Sequence, residues 1–484
     1  MTTAPPLPPT SVPATSPPAT SEAATRPDGT PPLEFAALRA TLAGDLVLPG
    51  EPDWDRARAA WHLTVDQRPA AVVAAAHVDD VVSVMRHAAA TGLRVAAQST
   101  GHGAPALEEL SDTILLRTRR MDGIAIDPVR RRARVEAGAL WQDLVPLAAE
   151  HGLAALHGSA PDVGIVGYSL GGGVGWLARR YGFACNSVLA AEIVTPQGER
   201  LRATADNHPE LFWALRGGGG SFGVVTALEF ALYPVTEVHA GVFFFPIDRA
   251  REVLHAWRDW TDEVPDTVTS VGRLLRFPPV PDLPEPLRGR SFVVVEACLL
   301  MDEPTASTWL RPLRELQPEM DTFATGPVTR LPELHMDPPT PVPALVDHRL
   351  LAAAVPGTID ALVDACGPRV DSPLLSVEIR HLGGALDRPH PDHGVLDRLD
   401  ATYAVVGVGM PVTPELGIAI EEHLGQVGRS VAPWCLDREF LNFAERPTTP
   451  ERLFGAQAAA RLAQVAASYD PQRRLVANHP AQRA

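Results

Sequence analysis

The chain has 484 residues and 45% hydrophobic content, enough for two or three domains, or for one large domain with an inserted one. Its formal net charge of -16 makes it a poor electrostatic match for nucleic-acid phosphates. All 42 basic residues are arginine, and the lack of lysine excludes a pyridoxal Schiff base, a phosphate-loop lysine and a lysine base.

Residues 1–32 hold ten prolines among Ser, Thr and Ala, a composition that predicts disorder. Residues 70–78 read as a strand. Asp79 and Asp80 then open an amphipathic helix, with acids in the first turn where the helix dipole favours them. Residues 93–97 read as the next strand, and Gly101-His102-Gly103 form a tight turn behind it. A strand at 113–118 precedes a hairpin of 123–127 and 132–137 around Asp127-Pro128. Residues 140–151 read as a helix. A second hairpin joins 188–195 to 201–203 through Pro196-Gln197-Gly198. A short helix at 209–216 and a strand at 224–233 follow. This mixture of strands, short helices and hairpins predicts an α+β fold, not a doubly wound sheet.

From about Val238 glycine clusters stop, and proline-rich connections appear at 277–286 and 336–343, which places a second domain at 238–430. The tail, 431–484, contains FLNFAER, a helical stretch at 450–469 and YDPQRRLVAN. Cys185, Cys298, Cys366 and Cys435 form no CxxC pair; they read as free thiols in a reducing, cytoplasmic compartment, with one disulfide left open. No run of about 18 apolar residues predicts a membrane helix, and the N-terminus lacks the pattern of a signal peptide.

Two glycine-rich segments carry the chemistry. HGSAPDVGIVGYSLGGGVGWLARRYG has glycines at 164, 167, 171, 172, 173 and 175, a density that favours a ligand cradle over a set of tight turns. RGGGGSFGVVT contains a literal GxGxxG at Gly218, Gly220 and Gly223. A helix precedes it and a strand follows, the reverse of the dinucleotide fingerprint, so that reading is rejected. GxxxxGK[ST], GxSxG and HExxH do not occur. His381, His390 and His393 read as surface histidines, and no metal is expected.

Together, the histidine in a glycine turn, the glycine-rich segment some sixty residues on, RGGGGSFGVVT, FLNF and YDP resemble the flavin-linked oxidases of the vanillyl-alcohol oxidase (PCMH-type) superfamily. Within it the berberine bridge enzyme-like group is most similar. The resemblance covers residues 54–237 and 430–480, and in the middle only EIRHLGGAL. It implies a two-subdomain FAD-binding domain at 33–237, a substrate domain with an antiparallel sheet covered by helices at 238–430, and a tail at 431–484 that returns to the FAD domain. It implies a small-molecule alcohol, amine or activated C–H as hydride donor, FAD as acceptor and O2 as the final oxidant, giving H2O2. A dehydrogenase with another acceptor, or a flavin-binding protein without redox activity, stays open. No nucleic acid or membrane partner is expected. Substrate and oligomeric state are not readable.

The resemblance also implies site residues. His102 takes the position bonded to the FAD 8α-methyl. Gln98, Ser99, Thr100, Gly101 and Gly103 hold the pyrophosphate. Ala160 stands where some members carry a second, cysteinyl link, so a single link is expected. Val163 takes the position that gates oxygen. Pro161, Gly164, Gly167, Gly171, Gly172, Gly175, Gly223, Val225 and Asn442 complete the cofactor set. Gln98 and Tyr168 replace an arginine and a histidine common in the family near flavin N1 and C2=O, which leaves support for a reduced, anionic flavin open. Phe440 replaces a tyrosine base. The remaining candidates for the base are Glu378, Tyr168 and Tyr403. Alternation along SVEIRHL puts Glu378 and Arg380 on one face, where the guanidinium lowers the carboxylate pKa.

Overall fold

The computed structural model describes residues 35–482 except 108 and 282; the expectation of disorder at 1–32 falls outside the described residues. Three sheets organise the rest.

In the first, Ala71–Ala74 and Arg94–Gln98 flank Thr113–Arg117 and run parallel to it, with Asp45–Val47 antiparallel on the outer edge. The first predicted strand ends early, at Ala74, because the helix already starts at Val78. That helix, Val78–Thr91, buries Val81, Val84, Met85 and Ala88, the i, i+3, i+4, i+7 stripe of a crossover packed on its sheet. It stops at Gly92, whose φ of 75° suits glycine. Asp80 does more than meet a helix dipole. Its carboxylate is buried and accepts from the backbone N–H groups of Ala43 (2.8 Å), Gly44 (3.0 Å) and Ala76 (2.7 Å). Asp80→Ala strands three donors, so its urea unfolding midpoint falls by the equivalent of about 3 kcal/mol.

The second sheet, Ile124–Asp127, Arg132–Glu136, Val224–Ala231, Val188–Val194 and Arg200–Ala203, is antiparallel throughout. Helix Pro209–Leu215 precedes RGGGGSFG and strand Val224–Ala231 follows it, the order that excludes a dinucleotide fingerprint.

The third sheet is antiparallel and built from residues 237–409. Its central run is Glu237–Pro246, Ser291–Leu299, Val268–Arg276, Ser376–His381, Tyr403–Gly409 and Leu345–Leu351. Alternation divides its two faces. Phe243, Phe245, Val377, Ile379 and Tyr403 pack under the helices Ala250–Glu263, Glu303–Arg314, Pro356–Cys366 and Pro414–Val431. Phe244, Val294 and Ala404 face the other way, into the core shared with the glycine-rich segments. The architecture is α+β.

The tail lies against the first half of the chain. Val95 donates to Arg474 O (2.7 Å) and accepts from Val476 N (2.9 Å), and Ala481 N donates to Ser221 Oγ (3.0 Å). The helical stretch at 450–469 is two helices, Pro450–Phe454 and Ala456–Tyr469, broken at Gly455 with φ 77°. All four cysteines are free. The surface reading of His381 is wrong. It is buried, stacks on Tyr403 and lies 2.9 Å from Arg179 Nη1. Among the described residues no His, Cys, Asp and Glu group could hold a metal ion, and no helix is long and apolar enough to cross a membrane.

Candidate functional site

The turn after Arg94–Gln98 is shaped by close approach. Gly101 has φ 96°, and a Cβ there would sit 2.9 Å from Ala60 Cα. This leaves His102 projecting at the end of the strand. Its ring stacks on the indole of Trp61, with centroids 3.9 Å apart at 23°. Its Nε2 lies 3.3 Å from Asp162 Oδ1, while Trp61 Nε1 donates to Asp162 Oδ2. Burial opposes ionisation of Asp162, but His102 and Trp61 outweigh it and hold the carboxyl below its usual range.

His102 opens into a cavity of about 400 Å3. Gln98, Ser99, Thr100, Gly101 and Gly103 form one wall; Ala160, Val163, Gly164, Gly167, Tyr168 and Gly171 form a second. Gly223 and Val225 form a third, joined by Gly219 and Gly220. Asn442, Phe443, Glu445 and the 475–478 segment close it from the tail, and Arg380 enters from the third sheet. At Gly167 and Gly220 a Cβ would meet no protein atom within 4 Å; both glycines keep space open inside the cavity. Ser99 Oγ, His102 Nε2 and Tyr168 OH are buried without a hydrogen-bond partner. Glycine walls, unpaired polar atoms and a projecting imidazole fit a large polar ligand such as FAD.

Three expected cofactor contacts lie elsewhere. A Cβ at Gly175 would fall 1.7 Å from His157 O, so that glycine serves chain packing. Gly172, with φ 118°, packs against Leu396 and Phe440. Pro161 does not line the cavity; its carbonyl accepts from Gln142 N (2.8 Å).

Gln98 is not a simple loss of charge. Arg117 Nη1 donates to its Oε1, and Gln67 pairs with its amide at 2.9 Å. Burial pushes the Arg117 guanidinium down to about 10, which leaves it cationic at neutral pH behind Gln98. The Tyr168 hydroxyl is pushed well above its ordinary value by burial, so it is a proton donor rather than a base. Asn442 both lines the cavity and clamps its wall, accepting from Gly173 N (2.9 Å) and donating to Tyr168 O (3.1 Å).

Tyr403 is in the wrong place to act as a base. Its side chain is buried on the helix-covered face, and its hydroxyl bonds Thr261 at 2.7 Å. Glu378 sits on the cavity side of the sheet but behind Arg380, which binds its Oε1 through Nε (3.0 Å) and Nη2 (2.8 Å). Burial opposes its charge, yet Arg380 and then His335 hold the carboxyl far below its usual range. Phe440 is buried, its amide donating to His348 Nε2 at 3.2 Å.

The sequence reading missed His335. Its Nδ1 lies 2.5 Å from Glu296 Oε2 and its Nε2 3.0 Å from Glu378 Oε2. Arg273 Nη1 donates to Glu296 Oε1 at 2.9 Å. The result is a buried network of two carboxylates, two guanidinium groups and one imidazole, with Arg380 as the group that reaches the cavity.

Residues 69–204 match the family model described as an FAD binding domain. The chain is 38% identical over 193 residues to (R)-6-hydroxynicotine oxidase of Paenarthrobacter nicotinovorans, a match covering 40% of this chain and 42% of that enzyme. A match to an uncharacterised FAD-linked oxidoreductase of Bacillus subtilis covers 52% of that protein at 27% identity, so these sequence matches span about half of each relative or less. The fold match is longer. A solved structure of 6-hydroxy-D-nicotine oxidase from Arthrobacter nicotinovorans superposes with a TM-score of 0.77 and 26% identity, over 90% of this chain and 96% of that one. Berberine bridge enzyme from Eschscholzia californica superposes with a TM-score of 0.76 over 91% and 97%, at 17% identity, a likeness of fold. Over nearly its whole length the chain is thus similar in fold to an FAD-linked oxidase, and within it residues 69–204 are similar to FAD binding domains.

Proposed function

We propose that this protein is an FAD-dependent oxidase that takes a hydride from an alcohol, amine or activated C–H of a small molecule, with O2 as final acceptor and H2O2 as product. FAD is held by one covalent link, to His102. Bound FAD supplies the two-electron chemistry; the chain supplies orientation, charge and a dry cavity. The observation that carries the reading is His102 projecting, stacked on Trp61, into a cavity walled by three glycine-rich segments.

In this reading Ser99, Thr100 and the glycines of the turn offer backbone N–H groups to the diphosphate. Ala160 provides no thiol, which limits attachment to one bond. The Tyr168 hydroxyl donates a hydrogen bond to an anionic acceptor in the cavity. Arg117 behind Gln98 and Arg380 near Tyr168 supply positive charge from two sides. Val163 presents a β-branched wall where oxygen approaches. The 33–237 and 431–484 segments bind the cofactor, and 238–430 presents substrate, with Arg380 as its contact into the cavity. Glu378, ionised and paired, orients Arg380 and is a weak base.

The test is direct. The purified protein is yellow, and its acid precipitate stays yellow. An aerobic screen of alcohols and amines gives peroxide in proportion to oxygen consumed. Flavin reduction without peroxide points to a dehydrogenase, and protein that neither carries FAD nor takes it up overturns the reading.

A further inference from the structure

We infer that Asp162 is a positioning residue for cofactor attachment: it holds the N–H of His102 Nε2 and leaves Nδ1 as the nitrogen that bonds the flavin 8α-carbon. This rests on the attachment at His102 proposed above.

Asp162 Oδ1 and His102 Nε2 are buried 3.3 Å apart, within ion-pair reach but short of an aligned hydrogen bond, and neither makes a hydrogen bond to any other group. Each is costly to leave alone, so each is the natural partner of the other. Asp162 is itself fixed from its other oxygen by Trp61 Nε1. The same indole lies flat on the imidazole and sets its plane. Two contacts from one tryptophan therefore lock both members of the pair. The Nδ1 atom has no protein partner among the described residues, and the ring lines the cavity. A carboxylate that accepts from one ring nitrogen fixes the tautomer in which the other carries a lone pair. The arrangement is the one by which a buried aspartate orients a catalytic histidine, applied here to a nucleophile.

The chemistry balances. The Nδ1 lone pair forms the C–N bond. The methyl carbon loses one proton and the imidazole loses the proton held toward Asp162. The two electrons left on the flavin pass with two protons to O2, giving one H2O2 for each bond made. Asp162 acts twice, by presenting the lone pair and by stabilising positive charge that grows on the ring.

The experiment uses protein expressed under riboflavin limitation and then supplied with FAD in air. Non-covalent uptake is read by quenching of flavin fluorescence, and attachment by intact mass and acid precipitation. Asp162→Asn takes up FAD with wild-type affinity but attaches it on the order of a hundredfold more slowly. Asp162→Glu recovers a large part of the rate, which a purely structural role would not produce. NMR of the flavopeptide from wild-type protein assigns the bond to Nδ1. Attachment by Asp162→Asn at the wild-type rate, or a bond through Nε2, overturns the proposal while leaving attachment at His102 intact. If Asp162→Asn does not fold, the flavopeptide assignment alone decides. A wild-type protein that releases all its flavin overturns the attachment reading, and this inference with it.

Discussion

His102→Ala releases the flavin: after acid precipitation the yellow moves wholly from pellet to supernatant, and intact mass shows protein without FAD. The expectation follows from what the substitution leaves untouched. The φ of 96° at Gly101, the open faces of Gly167 and Gly220, and the Asn442 clamp do not depend on the imidazole. The cradle therefore still binds FAD reversibly, and only the bond is lost. Trp61 loses its stacking partner, and Asp162 Oδ1 its neighbour, so thermal stability also falls, by about 1–3 kcal/mol. Covalent flavin that survives His102→Ala would move the attachment to another residue. Activity of the reversibly loaded variant would separate two roles of the bond: near-wild-type turnover means retention of cofactor, a large fall in kcat means tuning of its potential.

Much of this wall was legible because glycines there answer a local geometric demand. Gly101, Gly164 and Gly171 stand where backbone passes within van der Waals reach of another segment or of the cavity, and sequence shows glycine plainly. The same signal misled at Gly172 and Gly175, where the close neighbour is protein. Nothing local separates the two cases. Trp61 and Asp162 were missed for a different reason. They are 101 residues apart and meet only in the folded chain, with no local pattern to pair them. Tyr403 failed on parity. Its odd-numbered place in Tyr403–Gly409 puts it with Val405 under the helices, while Ala404 faces the glycine-rich half. The pairing of Glu378 with Arg380 was readable from alternation. His335 was not, since it reaches Glu378 from a loop after the 3-10 turn Val328–Glu333, which carries no motif.

That loop histidine gives the second large effect. Burial and Arg273 push its pKa down, but Glu296 and Glu378 outweigh them and raise it to about 9. The ordinary histidine value is about 6.5. A folded-state pKa above the unfolded one stabilises the fold fully at pH below the unfolded value. The stabilisation then fades as pH rises through 6.5 and is gone above about 9. The expected loss across that window is on the order of 3 kcal/mol, read as a fall in the urea midpoint. Glu378 gives the opposite limb, since its lowered pKa stabilises the fold above the ordinary carboxylate range and fails as pH drops through it. Glu296→Gln tests the assignment. It removes the carboxylate 2.5 Å from His335 Nδ1 and leaves Arg273 without its buried partner, which costs about 3–5 kcal/mol near neutral pH. The alkaline limb should shrink with it, because the imidazolium loses its closest counter-charge. A variant that is destabilised equally at every pH would place the titration elsewhere. The network also explains why a cavity lined by Arg380 keeps so many charges out of water: each carboxylate is paired twice, and the guanidinium is held in place at the cavity wall.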